Sequence, residues 1–130
     1  MADVGLEIES FLLRYGEALR KGNLPAVIGC WAVPAFVIGD ERAIAIKDIA
    51  EVEREFALAV ETYLDLGRVT NELTILEFER LSVNITSVDV EWMARNASDE
   101  VISTELFRYV LSGRDSGDYR IRCAIERTPV

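Results

Sequence analysis

VTNELTILEFERLS (residues 69–82), ITSVDVEWMARN (85–96), EVISTELFRYVLS (100–112) and DYRIRCAIE (118–126) follow one another with only short polar breaks. From Val69 onward the apolar residues recur with a period of two, which belongs to β-strands, whose side chains alternate between two faces. The breaks carry turn chemistry: Val83-Asn84, Ala97-Ser98-Asp99 and Gly113-Arg114-Asp115-Ser116-Gly117. Long strands joined by turns this short pair as antiparallel neighbours. The C-terminal half therefore reads as a meander of four long strands.

Upstream the period is that of a helix. Ile8, Phe11, Tyr15, Ala18 and Leu19 form one stripe, Arg20 and Lys21 suit the negative end of the dipole, and Gly22 supplies a left-handed cap. Asn23 reads as the N-cap of a short second helix with Pro25 in its first turn, running to about Trp31 and ended by Pro34. Residues 35–38 (AFVI) and 43–46 (AIAI), separated by Gly39-Asp40-Glu41-Arg42, read as a hairpin. Asp48 and Glu51 form a capping-box variant that opens a long third helix, with Ile49, Val52, Phe56, Val60 and Tyr63 as its stripe and Gly67 at its end. The order helix, helix, hairpin, long helix, four strands describes a single α+β domain over residues 1–130, with three helices packed on one face of an antiparallel sheet.

The other sheet face is not polar. One row of residues 100–112 holds Val101, Ser103, Glu105, Phe107, Tyr109 and Leu111; the opposite row holds Ile102, Thr104, Leu106, Arg108 and Val110. In the preceding strands Val88, Val90, Trp92 and Ala94 share a row, while Leu76 and Phe78 are expected opposite Leu73 and Ile75. A solvated sheet face alternates cleanly between apolar and polar. With the helices on one side, the expected cover for the other is a second copy of the sheet in a two-fold homodimer.

Composition removes several functions. The net charge of −9, with only two lysines, Lys21 and Lys47, argues against a nucleic-acid partner. The opening residues lack a basic segment followed by an apolar one, and no apolar stretch is long enough to span a bilayer, so a cytoplasmic protein is expected. The sequence contains no histidine, which excludes Ser-His-Asp and Cys-His catalysis and leaves Cys30 and Cys123 too few for a zinc site. Both cysteines are expected to be free, mostly buried thiols. No Gly-rich phosphate loop follows a strand and no metal-ligand spacing occurs, so no cofactor is expected. Two sequons, Asn84-Ile85-Thr86 and Asn96-Ala97-Ser98, read as turns.

This element order resembles the nuclear transport factor 2-like superfamily, which includes the SnoaL-like polyketide cyclases, scytalone dehydratase and ketosteroid isomerase. The resemblance is carried by Arg14-Tyr15 through Gly22-Asn23-Leu24, Trp31-Ala32, Glu105 through Tyr109, and Gly117-Asp118-Tyr119-Arg120-Ile121, where Tyr119 takes the place of the usual Trp. It implies a cystatin-like cone (α-α-β-β-α-β-β-β-β) enclosing one apolar pocket that takes a small apolar metabolite. Compared with ketosteroid isomerase, Tyr15 falls on the oxyanion tyrosine, in an Arg-Tyr-x-x-Ala-Leu context, and Glu105 on the protonated acid, with Phe107 following as an aromatic does there. The base position falls on Gly39, with Asp40 one residue further. An Asp-Arg-Asp set of the limonene-epoxide-hydrolase kind has no match.

Each candidate has a plainer reading beside the functional one. Glu105, in an otherwise apolar row, either faces the pocket, where it could donate to a ligand oxygen, or pairs with an arginine of a neighbouring strand. Tyr15 either contacts a ligand or makes a structural hydrogen bond. Asp40 is a general base or simply a turn residue. Trp31, Phe56, Tyr63, Trp92 and Tyr109 are core aromatics, some of which would line any cavity. Three functions stay open: a SnoaL-like pocket protein without an assigned reaction, a ketosteroid-isomerase-like or cyclase-like proton-transfer enzyme acting through Asp40, Tyr15 and Glu105, and a non-catalytic dimeric association module with a filled cone.

Overall fold

The structure, a computed structural model, describes residues 3–65, 67 and 70–129, without the side chains of residues 63 and 64. Its elements run α1 (Val4–Lys21), α2 (Leu24–Gly29), β1 (Trp31–Ile38), β2 (Ala43–Ile46), α3 (Ile49–Asp65), β3 (Thr70–Ser82), β4 (Ile85–Arg95), β5 (Val101–Ser112) and β6 (Arg120–Arg127). Val69, read above as the start of a strand, lies outside the described residues.

Local chemistry sets the helix ends. Asp3 caps α1 by accepting from the Leu6 amide at 3.2 Å, and Gly22 closes the helix at φ 71°. Asn23 accepts from the Ala26 amide at 3.2 Å and starts α2. At α3 the Asp48 carboxylate accepts from the Glu51 amide at 2.9 Å, while the Glu51 carboxylate reaches back to the Lys47 amide at 2.6 Å.

The α2 boundary corrects the sequence reading. The helix ends at Gly29, with Cys30 as its C-cap, and Trp31 opens β1 instead of closing α2. Pro34 lies inside that strand. The reason is tertiary: the Cys30 carbonyl accepts from the Ile121 amide at 2.8 Å, which docks the incoming chain beside β6. The β1–β6 ladder slips register between Trp31 and Phe36, the stretch in which Pro34 has no amide to give.

One six-stranded sheet has the order β2-β1-β6-β5-β4-β3. The four long strands form the expected antiparallel meander, and β1 joins β6 in parallel, so one mixed sheet results. Cross-strand register places Leu73, Trp92, Glu105 and Ile75, Val90, Phe107, Glu126 in rows on the face toward the helices. Here Ile8, Phe11, Leu12 and Tyr15 of α1 pack against Val88, Val90, Trp92, Tyr109, Leu111 and Ile121.

The rows assigned to β3 also need correction. A bulge between Ile75 and Glu77 moves Phe78 into the row of Leu73 and Ile75, opposite Val88, and leaves Leu76 exposed. A single extra residue inverts every later position, so strict alternation cannot follow the strand through it.

Candidate functional site

β6 ends at Arg127, opposite Leu106, so β5 runs on past it toward Val101 with only β4 beside it. Between this unpaired margin, α1 and α3 lies a cavity of about 730 Å³. That volume is in the range of small-molecule sites. Tyr15, Gly16 and Leu19 of α1, Glu55, Phe56 and Ala59 of α3, and Asn71, Trp92, Glu105, Phe107, Tyr109, Ala124 and Glu126 of the sheet line it, with Trp31 and Val37 of β1.

Aromatic rings from α1, α3 and the sheet stand in its walls and hold one another. Tyr15 meets Trp31, Phe56 and Tyr109 edge-on, at centroid distances of 6.5, 6.5 and 6.2 Å. Phe107 stacks on Tyr109 at 5.5 Å with the planes 4° apart. Trp31 leans on Phe56 at 5.2 Å. Trp92 Nε1 donates to Tyr109 Oη at 2.9 Å, across the β4–β5 ladder. Asn71 Nδ2 donates to the Gly16 carbonyl at 3.2 Å and ties β3 to α1. Two buried polar atoms of this lining, Trp31 Nε1 and Asn71 Oδ1, have no hydrogen-bond partner among the described residues.

Of the sequence candidates, Tyr15 and Glu105 do line one cavity, together with Trp31, Phe56, Trp92, Phe107 and Tyr109. The Glu105 row thus faces the helices. Asp40 is not brought to them. It sits on the exposed turn between β1 and β2, where its carboxylate accepts from Thr128 Oγ1 at 3.0 Å. The turn geometry that made Asp40 visible in the sequence is what keeps it at the surface. The side chain of Tyr63 lies outside the described residues.

Of the charged lining residues only Glu105 was a sequence candidate; Arg42, Glu55 and Glu126 escaped sequence reasoning, as did Glu91 and Arg127. Arg42 leaves the β1–β2 turn to bond Glu126 Oε1 through Nε at 3.1 Å, and through its terminal nitrogen as well, while Nη1 reaches Glu55 Oε1 at 3.0 Å. One guanidinium thus joins β6, α3 and the hairpin. These partners are 13 and 84 residues from Arg42, and no local pattern announces such a contact.

The outer sheet face carries a second ionic group. Asp89, only 8% exposed, accepts from Arg108 Nε at 2.7 Å and Nη2 at 2.9 Å, and Arg127 Nη1 stands 3.5 Å away. The Arg108 hydrogen bonds, then the charges of Arg108 and Arg127, hold the Asp89 carboxyl below its ordinary value against the opposing effect of burial. Cys30 and Cys123 are free, and burial raises both thiols above their usual range. Among the described residues no three His, Cys, Asp or Glu side chains gather closely enough to hold a metal ion. No helix among them is long and apolar enough to cross a membrane.

The family described as NTF2-like protein (DUF6841) matches residues 6–129. The chain belongs to this family. A comparison with curated protein sequences finds no match. Among solved structures, the NTF2-like chain resembles an NTF-2 like protein of unknown function from Shewanella oneidensis MR-1, with 18% identity and a TM-score of 0.70 over 92% of this chain and 95% of that one. It also resembles a cystatin-like domain from Nostoc punctiforme, with 14% identity and a TM-score of 0.74 over 100% and 80% of the two chains. A ketosteroid isomerase-like protein from Erwinia carotovora atroseptica is 19% identical, with a TM-score of 0.56 over 95% and 96%. At these identities the likeness is one of fold: an α+β, cystatin-like, NTF2-like domain.

Proposed function

We propose that this NTF2-like domain is a pocket protein that binds one small, predominantly apolar molecule between its sheet and its helices. The observation that carries this reading is the convergence of Tyr15, Trp31, Phe56, Trp92, Phe107 and Tyr109 on one open volume of about 730 Å³. A core built only for stability closes such a volume, because unfilled space forfeits packing. The same volume speaks against an association module with a filled cone.

The chain's two tryptophans, Trp31 and Trp92, both line the cavity, so all of its tryptophan emission comes from those walls. Titration with a panel of apolar and amphiphilic metabolites should therefore shift or quench that emission at micromolar ligand. Native mass spectrometry of the purified protein should show a co-purifying mass. A panel that leaves the emission unmoved, with no retained ligand, would count against the reading.

A second reading, proton transfer on an enolisable ketone, draws support from Tyr15 and Glu105 lining the same cavity. Asp40 lies outside the lining, so the base would have to come from another lining carboxylate, such as Glu126 on the sheet row of Phe107. Glu105→Gln, assayed on a ketone panel, separates the two readings: a proton-transfer enzyme loses turnover, and a binding protein has none to lose.

We further propose that the working unit is a homodimer formed through the outer sheet face. Phe36 and Ile38 of β1 are 49% and 37% exposed there, and they continue across the ladder into Cys123 and Ile125 of β6 and Val110 of β5. A contiguous apolar strip of this kind, flanked by the Asp89–Arg108–Arg127 group, suits a two-fold copy that sets strip on strip.

A further inference from the structure

We propose that the molecule this cavity takes is an organic cation, an ammonium group carrying an apolar body, and not a neutral hydrocarbon or steroid-like compound. The inference rests on the pocket reading above and specifies its ligand class.

Two features of the walls point the same way. The first is ring geometry. Tyr15 stands at 66°, 86° and 85° to Trp31, Phe56 and Tyr109, so the cavity is bounded by aromatic rings in several planes. Ring faces carry the negative part of the aromatic quadrupole, and rings in several planes can surround a compact positive charge.

The second feature is the placement of carboxylates among those rings. Glu105 is paired across the β4–β5 ladder with Trp92, and Glu126 across the β5–β6 ladder with Phe107. Each acidic side chain on the inner sheet face thus lies beside an aromatic wall. Arg42 divides its single charge between Glu126 and Glu55. Arg127, the other lining guanidinium, turns to Asp89 on the opposite face. Setting aside Glu91 and Arg127, which belong to the opposite sheet face, the carboxylates of Glu55, Glu105 and Glu126 outnumber the Arg42 guanidinium among the described lining residues.

A neutral apolar ligand would leave this excess of acidic charge in a drier site with no added positive charge to balance it, which is costly. A cation with an apolar body satisfies both features at once: rings for the body, and rings with carboxylates for the charge. The chain's net charge of −9 adds a long-range field that draws cations toward it.

The test compares benzyltrimethylammonium with neopentylbenzene, its neutral carbon isostere, on the unmodified protein, so that no variant has to fold. Binding is read from tryptophan emission and calorimetry. The cation should bind at least about tenfold more tightly than the isostere at low salt, with the gap narrowing as ionic strength rises. Glu105→Gln and Glu126→Gln, each checked for native circular dichroism, should narrow the gap further. Equal affinity, or tighter binding of neopentylbenzene, overturns the cation inference and leaves the apolar pocket standing. Binding of neither probe overturns the cation inference and weakens the pocket reading with it.

Discussion

Trp92 Nε1 donates a 2.9 Å hydrogen bond to Tyr109 Oη inside the cavity wall, joining β4 to β5 through their side chains as well as their ladder. Both residues are buried, Tyr109 to 3% exposure. The bond fixes the indole ring that faces α1 and the phenol on which Phe107 stacks. Tyr109→Phe strips the indole of its acceptor and leaves a buried donor unsatisfied. The expected loss is about 1–3 kcal/mol, read as a lower urea midpoint with an unchanged slope. An unchanged midpoint would show that the bond contributes nothing.

Gly16 is where α1 meets that indole. A Cβ at this position would stand 2.7 Å from Trp92 Cζ3 and 2.8 Å from Cη2. Alanine is the better helix former by about 1 kcal/mol, so on helix propensity alone Gly16→Ala should stabilise the protein. With the ring held by Tyr109, overpacking at about 1–3 kcal/mol wins instead. We expect a lower thermal midpoint, together with weaker ligand response as the indole moves into the cavity. A raised midpoint would mean that the ring yields freely.

Asp89 links stability to pH. Its folded value lies below its unfolded one, so its stabilising contribution is complete above the ordinary aspartate value near 4 and is lost as pH falls toward the folded value. Urea midpoints of the native protein should therefore drop below about pH 4. Asp89→Asn should lower the midpoint at pH 7 by the equivalent of about 1.5–3 kcal/mol, since it removes the negative charge facing Arg108 and Arg127 and one of the two acceptors of Arg108. It should also flatten the acid slope, and equal acid slopes in the two proteins would contradict the assignment.

The outer face gives a hydrodynamic prediction. The native chain should sediment as a dimer at micromolar concentration, and Ile38→Lys, which places a charge within the apolar strip, should weaken association at least about tenfold. Tryptophan emission should be preserved in this variant, because Ile38 lies outside the cavity lining. A native protein that sediments as a monomer ends the proposal.

What the sequence determined by itself is what short-range physics controls. The α1 stripe from Ile8 to Leu19, the Gly22 cap, the Asp48–Glu51 pair that opens α3 and the alternation within β4 and β5 involve residues a few positions apart, and their patterns survive folding unchanged. Tyr15 and Glu105 could be singled out for the same reason: each is a polar group set in an apolar periodic row. Only the tertiary structure decided where Trp31 belongs, because docking the chain beside β6, 90 residues later, outweighs the local helical tendency. The β3 bulge likewise depends on pairing with β4. Tertiary structure also left Asp40 at the surface and drew Arg42, Glu55 and Glu126 together at the cavity. Contacts across 13 and 84 residues leave no periodic trace in the chain, so the charge of the pocket appears only once the sheet has closed over it.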